Sequence, residues 1–175
     1  MRAGTIVVGL GNPILGDDGI GWRVADEVER RLGAGTPVTV ERAALGGLSL
    51  MERLVGYEAA VIVDAVHTGV APVGTVSRCA IAALARGETG HTASAHDVSF
   101  VTALAVGRAV GAALPESVEV VGIEIAPTLD VSEDLTPAVA ASIPAAAATV
   151  LESLGGPSVG ATSKPQQEER NHGVP

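Results

Sequence analysis

The apolar residues of this chain fall into short runs that alternate with helical stripes along most of its length. Thr5 to Leu10 is an apolar run rich in β-branched residues, closed by Gly9, Gly11 and Asn12-Pro13, and it predicts a buried first strand. After Gly19, Ile20, Val24, Val28 and Leu32 recur every four positions with Ala25 beside them. Arg23, Asp26, Glu27, Glu29, Arg30 and Arg31 fill the other faces, which predicts an amphipathic helix. Pro37 to Arg42 alternates as a second strand, and Leu48 to Val55 reads as a short helix. Ala59 to Val66 is a near-continuous apolar run interrupted by Asp64, the pattern of a strand buried on both faces. Gly74 to Cys79 gives another strand, and Ala80 to Ala95 reads as loop or weak helix. Ser94 and Asp97 have capping-box spacing ahead of Val98, Val101, Leu104 and Ala105 on one stripe, which puts His96 in the first turn of a helix. Val118 to Ile125 is the last strand. Thr136-Pro137 then opens an Ala-rich helix to about Leu154, with a kink expected at Pro144. Strands alternating with helices predict an α/β protein, three-layer α/β/α with a mostly parallel central sheet. From Gly155 onward Gly, Pro, Ser, Gln and Glu take over, so residues 1–154 read as a single domain and 155–175 as a disordered tail.

Composition narrows the chemistry. Trp22, Tyr57 and Phe100 are the only aromatic residues, so the core must be built from Val, Ala, Leu and Ile rather than from stacking platforms. The formal net charge of −9, with no basic cluster, opposes a nucleic-acid partner, because such binding draws on Lys and Arg against phosphates. The single Cys79 excludes an internal disulfide and a Cys-based metal cage; it follows an apolar strand and reads as a buried core thiol. The first residues lead straight into a strand, and no apolar run reaches the length of a bilayer span. A soluble cytoplasmic protein with no membrane partner is expected.

The loop between the first strand and the first helix carries two adjacent carboxylates, Asp17 and Asp18, at the place where open α/β sheets build their sites. One of them serves as a helix cap, since Asp accepts the unpaired N-terminal N–H bonds and opposes the positive end of the helix dipole. A cap leaves the second carboxylate free. A dinucleotide loop fits poorly, because Gly9-Leu10-Gly11 continues as Asn-Pro and two acids would repel a pyrophosphate. Asp64 closes a buried strand, where an unpaired carboxylate would cost several kcal/mol; either N–H groups of a turn hold it or it has a function. His96 is the third candidate, with His67 and His91 competing for its role. If the first and third strands are parallel and the helix after His96 packs over the sheet, Asp18, Asp64 and His96 converge at one sheet edge. Two carboxylates and an imidazole suit Ni²⁺ or Zn²⁺. No nucleophile elbow is present, and Ser94 and Ser99 beside His96 fit capping better than a triad.

Taken in order, Gly9-Leu-Gly-Asn12 with Asp17-Asp18-Gly19-Ile-Gly21, the strand-end Asp64-Ala65, and Ser94-Ala-His96 before a helix resemble the NiFe-hydrogenase maturation proteases over about residues 5 to 154. Gly122-Ile123-Glu124 and Leu135-Thr136-Pro137 extend the likeness. The resemblance implies a phosphorylase/hydrolase-like α/β fold and an aspartic-type endopeptidase. Such an enzyme removes a short C-terminal extension from a NiFe-hydrogenase large-subunit precursor after nickel insertion. It also implies that Asp18, Asp64 and His96 are the catalytic, nickel-meeting residues, and that the nickel arrives with the substrate, so no tightly bound cofactor of the enzyme's own is expected. Asp17 is then the better helix cap and Asp18 the metal-facing acid. One departure stands out: many members carry an Asp-Gly-Gly-Thr-like box after the second strand, whereas here the chain reads Glu41-Arg42-Ala-Ala-Leu-Gly46-Gly47. Gly46 and Gly47 keep a flexible substrate loop, but the acid and hydroxyl have no clear counterparts. Val8-Gly9-Leu10-Gly11-Asn12-Pro13 also resembles the opening of bacterial peptidyl-tRNA hydrolase, without the Thr-Arg-His-Asn box that supplies its histidine. A non-catalytic nickel-binding or chaperone-like module would use the same three residues.

Overall fold

The structure, a computed structural model, describes residues 4–33, 35–86, 95–127 and 131–155, without the side chains of 84–99. The first apolar run forms strand β1 (Thr5–Leu10), followed by a 3-10 turn (Gly16–Gly19) and helix α1 (Ile20–Arg31). Then come β2 (Val38–Ala43), α2 (Gly47–Arg53), β3 (Ala59–Val66), β4 (Val76–Ala80), α3 (Ile81–Arg86), α4 (Ala95–Ala109), β5 (Ser117–Glu124) and α5 (Pro137–Gly155). The sheet runs β2-β1-β3-β5-β4. The first four of these strands are parallel, and β4 lies antiparallel to β5 at the edge.

Alternation along the strands divides the core in two. Ile6, Val8 and Leu10 of β1 and Ala60 and Ile62 of β3 pack with Leu50, Met51 and Leu54 and with Phe100, Ala103 and Leu104 of α4. On the opposite face Val7, Val61, Val63 and Val121 meet Ile20, Val24 and Val28 of α1 and Val139, Ala146, Ala147 and Val150 of α5. This is the expected three-layer α/β/α arrangement.

The differences from the sequence reading are local. Helix α1 ends at Arg31, and Leu32, the fourth residue of its stripe, turns extended while still packing on the core. The stretch read as loop or weak helix begins with a helix, α3. Helix α5, as expected, opens at Pro137 and runs past Pro144, whose carbonyl accepts a hydrogen bond from Arg31 at 3.1 Å. At 19 residues with a mean hydropathy of 1.4, α5 does reach the length and apolarity of a membrane span. That corrects the expectation that no run is long enough, and its cause is the alanine content of the helix. Its buried stripe of Val139, Ser142, Ala146 and Val150 lies against α1 and β5, as a core helix requires. The tail beyond Gly155, His91, Ser94 and the side chain of its capping partner Asp97 lie outside the description.

Candidate active site

The glycines of the β1–α1 junction are there for close packing. A Cβ on Gly21 would overlap the carbonyl oxygen of Leu10 and sit 2.6 Å from that of Val63, and one on Gly9 would overlap the carbonyl of Gly21. Gly11 has φ +121°, and a Cβ there would strike the Asp18 carbonyl. The helix start is thereby drawn tight against the carboxyl ends of β1 and β3, and the 3-10 turn carrying Asp17 and Asp18 is held over them.

Two adjacent acids on that turn face different neighbours. Asp18 is half-buried, and its Oδ2 accepts the Asn12 backbone N–H at 2.6 Å. Its Oδ1 has no hydrogen-bond partner among the described residues. Asp17 is only 2% exposed. Its Oδ1 accepts the Thr136 backbone N–H at 2.7 Å and its Oδ2 accepts the Thr136 hydroxyl at 2.9 Å. Neither the 3-10 turn nor α1 has a side-chain cap. The reading of Asp17 as the cap of the first helix is therefore corrected: its carboxylate makes no cap bond to α1 and grips the residue that precedes α5. The predicted Thr136 cap changes as well, since its hydroxyl is given to Asp17 while its carbonyl accepts the Ala140 N–H at 2.9 Å.

Asp64 lies in β3 opposite Gly122, two residues before the strand ends, on the face shared with Ala60 and Ile62. It and Asp18 line one cavity of about 360 Å³ at the carboxyl edge of the parallel strands. Leu10, Asn12, Leu15, Ala44, Leu45 and Gly46 complete much of its wall. The structure thus brings together two of the three predicted site residues, with Gly46 of the predicted substrate loop. Gly47 follows as the first residue of α2, with φ +55°. His96 is the second residue of α4, one turn before the buried Phe100, in the helical layer that covers the Asp64 face; its side chain is outside the description. Among the described residues, no group of three or more His, Cys, Asp or Glu side chains is placed to hold a metal.

The competing residues are occupied elsewhere. The exposed His67 has its Nδ1 3.1 Å from the Ile125 carbonyl, and Cys79, read as a buried core thiol, lies within edge strand β4 and packs against the core only partly buried. Glu124, 3% exposed at the end of β5, accepts the Thr68 and Gly69 N–H groups at 2.8 and 2.9 Å and the Thr68 hydroxyl at 2.7 Å. Burial pushes its carboxyl up, but these bonds and the charge of His67 outweigh that and hold it below the ordinary range.

A family model described as hydrogenase maturation protease (HycI) matches residues 22–153. The chain belongs to the hydrogenase maturation protease family. It is therefore a peptidase of hydrogenase maturation, acting on hydrogenase precursors, and the peptidyl-tRNA hydrolase and non-catalytic readings give way. Among solved structures, the protease is similar to the hydrogenase maturating endopeptidase HybD of E. coli. The two share 26% identity at a TM-score of 0.74, over 87% of this chain and 92% of that one. A hydrogenase 2 maturation peptidase from a Thaumarchaeota archaeon is 28% identical at a TM-score of 0.61, over 87% and 98% of the two chains. HybD of Thermococcus kodakarensis, 20% identical at a TM-score of 0.66 over 86% and 99%, shares the fold. The curated proteins contain no match.

What sequence reasoning missed is the grip of Asp17 on Thr136. Both residues stand in recognised motifs, but no local spacing connects positions so far apart, and a helix-start aspartate fits a cap equally well.

Proposed function

We propose that this protease removes the C-terminal extension of a NiFe-hydrogenase large-subunit precursor in the cytoplasm once nickel is in place, and that Asp18, Asp64 and His96 read the metal. The observation that supports this most is the shared cavity of Asp18 and Asp64, which come from separate strand ends. Nickel here is cargo of the precursor. Carboxylate and imidazole donors favour a borderline divalent ion, so a precursor without nickel forfeits that contact and recognition doubles as a check on loading. The Oδ1 of Asp18, without a hydrogen-bond partner among the described residues, suits a ligand that arrives from outside.

In the reaction the oxygen of water adds to the scissile carbonyl carbon, the C–N bond breaks, and the nitrogen leaves as an amine. Asp18 or Asp64 takes the proton from the water and returns it to the nitrogen. The incoming nickel polarises the carbonyl or the water. Gly46 and Gly47 shape the substrate side of the cleft, where Leu45 adds an apolar wall. The test incubates the protein with nickel-loaded and nickel-free large-subunit precursors and follows the mass of the product. Cleavage is expected with nickel alone. Asp18→Asn, Asp64→Asn and His96→Ala should each lose about 10²-fold or more in rate with unchanged circular dichroism. Normal processing by Asp64→Asn overturns the assignment.

A further inference from the structure

We propose that Asp17 is a positioning residue for cleavage: by clasping Thr136 it fixes the turn from which Asp18 faces the cavity. The inference rests on the reading of Asp18 as a metal-facing acid. Both oxygens of Asp17 are committed, one to the Thr136 N–H and one to its hydroxyl, and the side chain is buried, so it touches neither precursor nor metal. The same stretch is sewn to the chain before α5 by two backbone bonds, Gly16 N–H to Ser132 O at 2.6 Å and Ser132 N–H to Ile14 O at 3.0 Å. Asp18 is the next residue along. Its N–H closes the turn on Leu15 O at 3.2 Å, so its carboxylate moves wherever the turn moves.

A cap would have tied the turn to its own helix alone. The observed clasp references the turn to a segment from the other end of the chain, and α5 in turn packs on α1 across the same layer. Misplacing a reacting group by about 1 Å costs on the order of 10²-fold in rate. A turn released from Thr136 shifts Asp18 on that scale without removing any group that binds substrate.

The experiment measures kcat and KM for a nickel-loaded precursor that the wild-type enzyme cleaves, alongside thermal melts. Asp17→Ala is expected to lower kcat by about 10- to 100-fold with KM within about twofold. Thr136→Val, which keeps the backbone donor and loses the hydroxyl, should lower kcat several-fold. Val150→Ala in the α1–α5 interface serves as the stability control, losing melting temperature while keeping kcat. Wild-type kcat in folded Asp17→Ala overturns the proposal, as does an equal loss of kcat in Val150→Ala at matched melting temperature. If Asp17→Ala does not fold, wild-type kcat in Thr136→Val overturns it instead. Asp18→Asn separates the two readings. Normal cleavage by that variant removes the role of Asp18 and this inference with it, whereas an inactive Asp18→Asn beside a fully active Asp17→Ala removes only the clasp.

Discussion

Single side-chain positions hold the edge of the sheet together, and Gly21 is the most demanding of them. Its missing Cβ lets the first turn of α1 rest on the carbonyls of Leu10 and Val63, so Gly21→Ala forces backbone rather than a flexible side chain to give way. Overpacking of this kind costs about 1–3 kcal/mol, and about 2–4 °C of melting temperature per kcal/mol in a chain of this size. Gly33→Ala, whose new Cβ would meet only Thr36 Oγ1, at 3.9 Å, among the described residues, should stay within about 0.5 kcal/mol; calorimetry on the pair checks the contrast. Glu124 supplies the pH dependence at this scale. Its folded carboxyl lies below the ordinary value, so the stability it contributes is fully present above the unfolded carboxyl range and is lost as the pH falls through its folded value. Urea unfolding of the wild type should weaken steeply below about pH 4.5, and Glu124→Gln should flatten that decline; parallel pH profiles would show that other carboxylates carry it. The glycines were legible as turn residues, but their packing role was not. A glycine announces conformational freedom, while the atom that would collide with its Cβ belongs to a distant strand.

At the scale of elements, apolar period decided most of what could be read. β3 was legible to the residue, because a strand buried on both faces needs an unbroken run from Ala59 to Val66 and Asp64 stands out within it. The direction of β4 was not legible, since an antiparallel edge strand beside β5 leaves the same alternation as a parallel one. The length of α1 was overshot by one residue because Leu32 keeps the period and the core contact while its backbone has already turned extended. Helix α4 carries the proposed site residue His96 in its first turn, and its middle is pinned by Phe100 and Leu104, 3% and 1% exposed. Leu104→Ala should destabilise the fold by about 2–5 kcal/mol, read as a lower urea midpoint with an unchanged slope. At temperatures where the variant remains folded it should still cleave, since Leu104 lies more than two turns from His96.

At the scale of the whole molecule, the parallel sheet is what turns scattered acids into one site. Asp18, Asp64, Glu124 and Thr136 belong to four separate stretches of chain, and all of them lie at the carboxyl edge of β1, β3 and β5 or in the loops beyond it. Two buried carboxylates, Asp17 and Glu124, each accept both the N–H and the hydroxyl of one threonine, and Glu124 takes the Gly69 N–H besides. Each ties down a loop at the carboxyl edge of the sheet, the edge at which Asp18 and Asp64 line their cavity. The proposed reading has the metal come and go with the substrate, and chelation separates that reading from a resident catalytic ion. Treating the protease with a chelator and desalting it should leave cleavage of a nickel-loaded precursor undiminished, whereas precursor from nickel-starved cells should resist cleavage by untreated enzyme. If the chelated protease instead lost activity and recovered it on adding Ni²⁺ to the enzyme alone, the metal would belong to the protease. Asp18 and Asp64 would then be ligands of a permanent site rather than readers of the precursor's cargo.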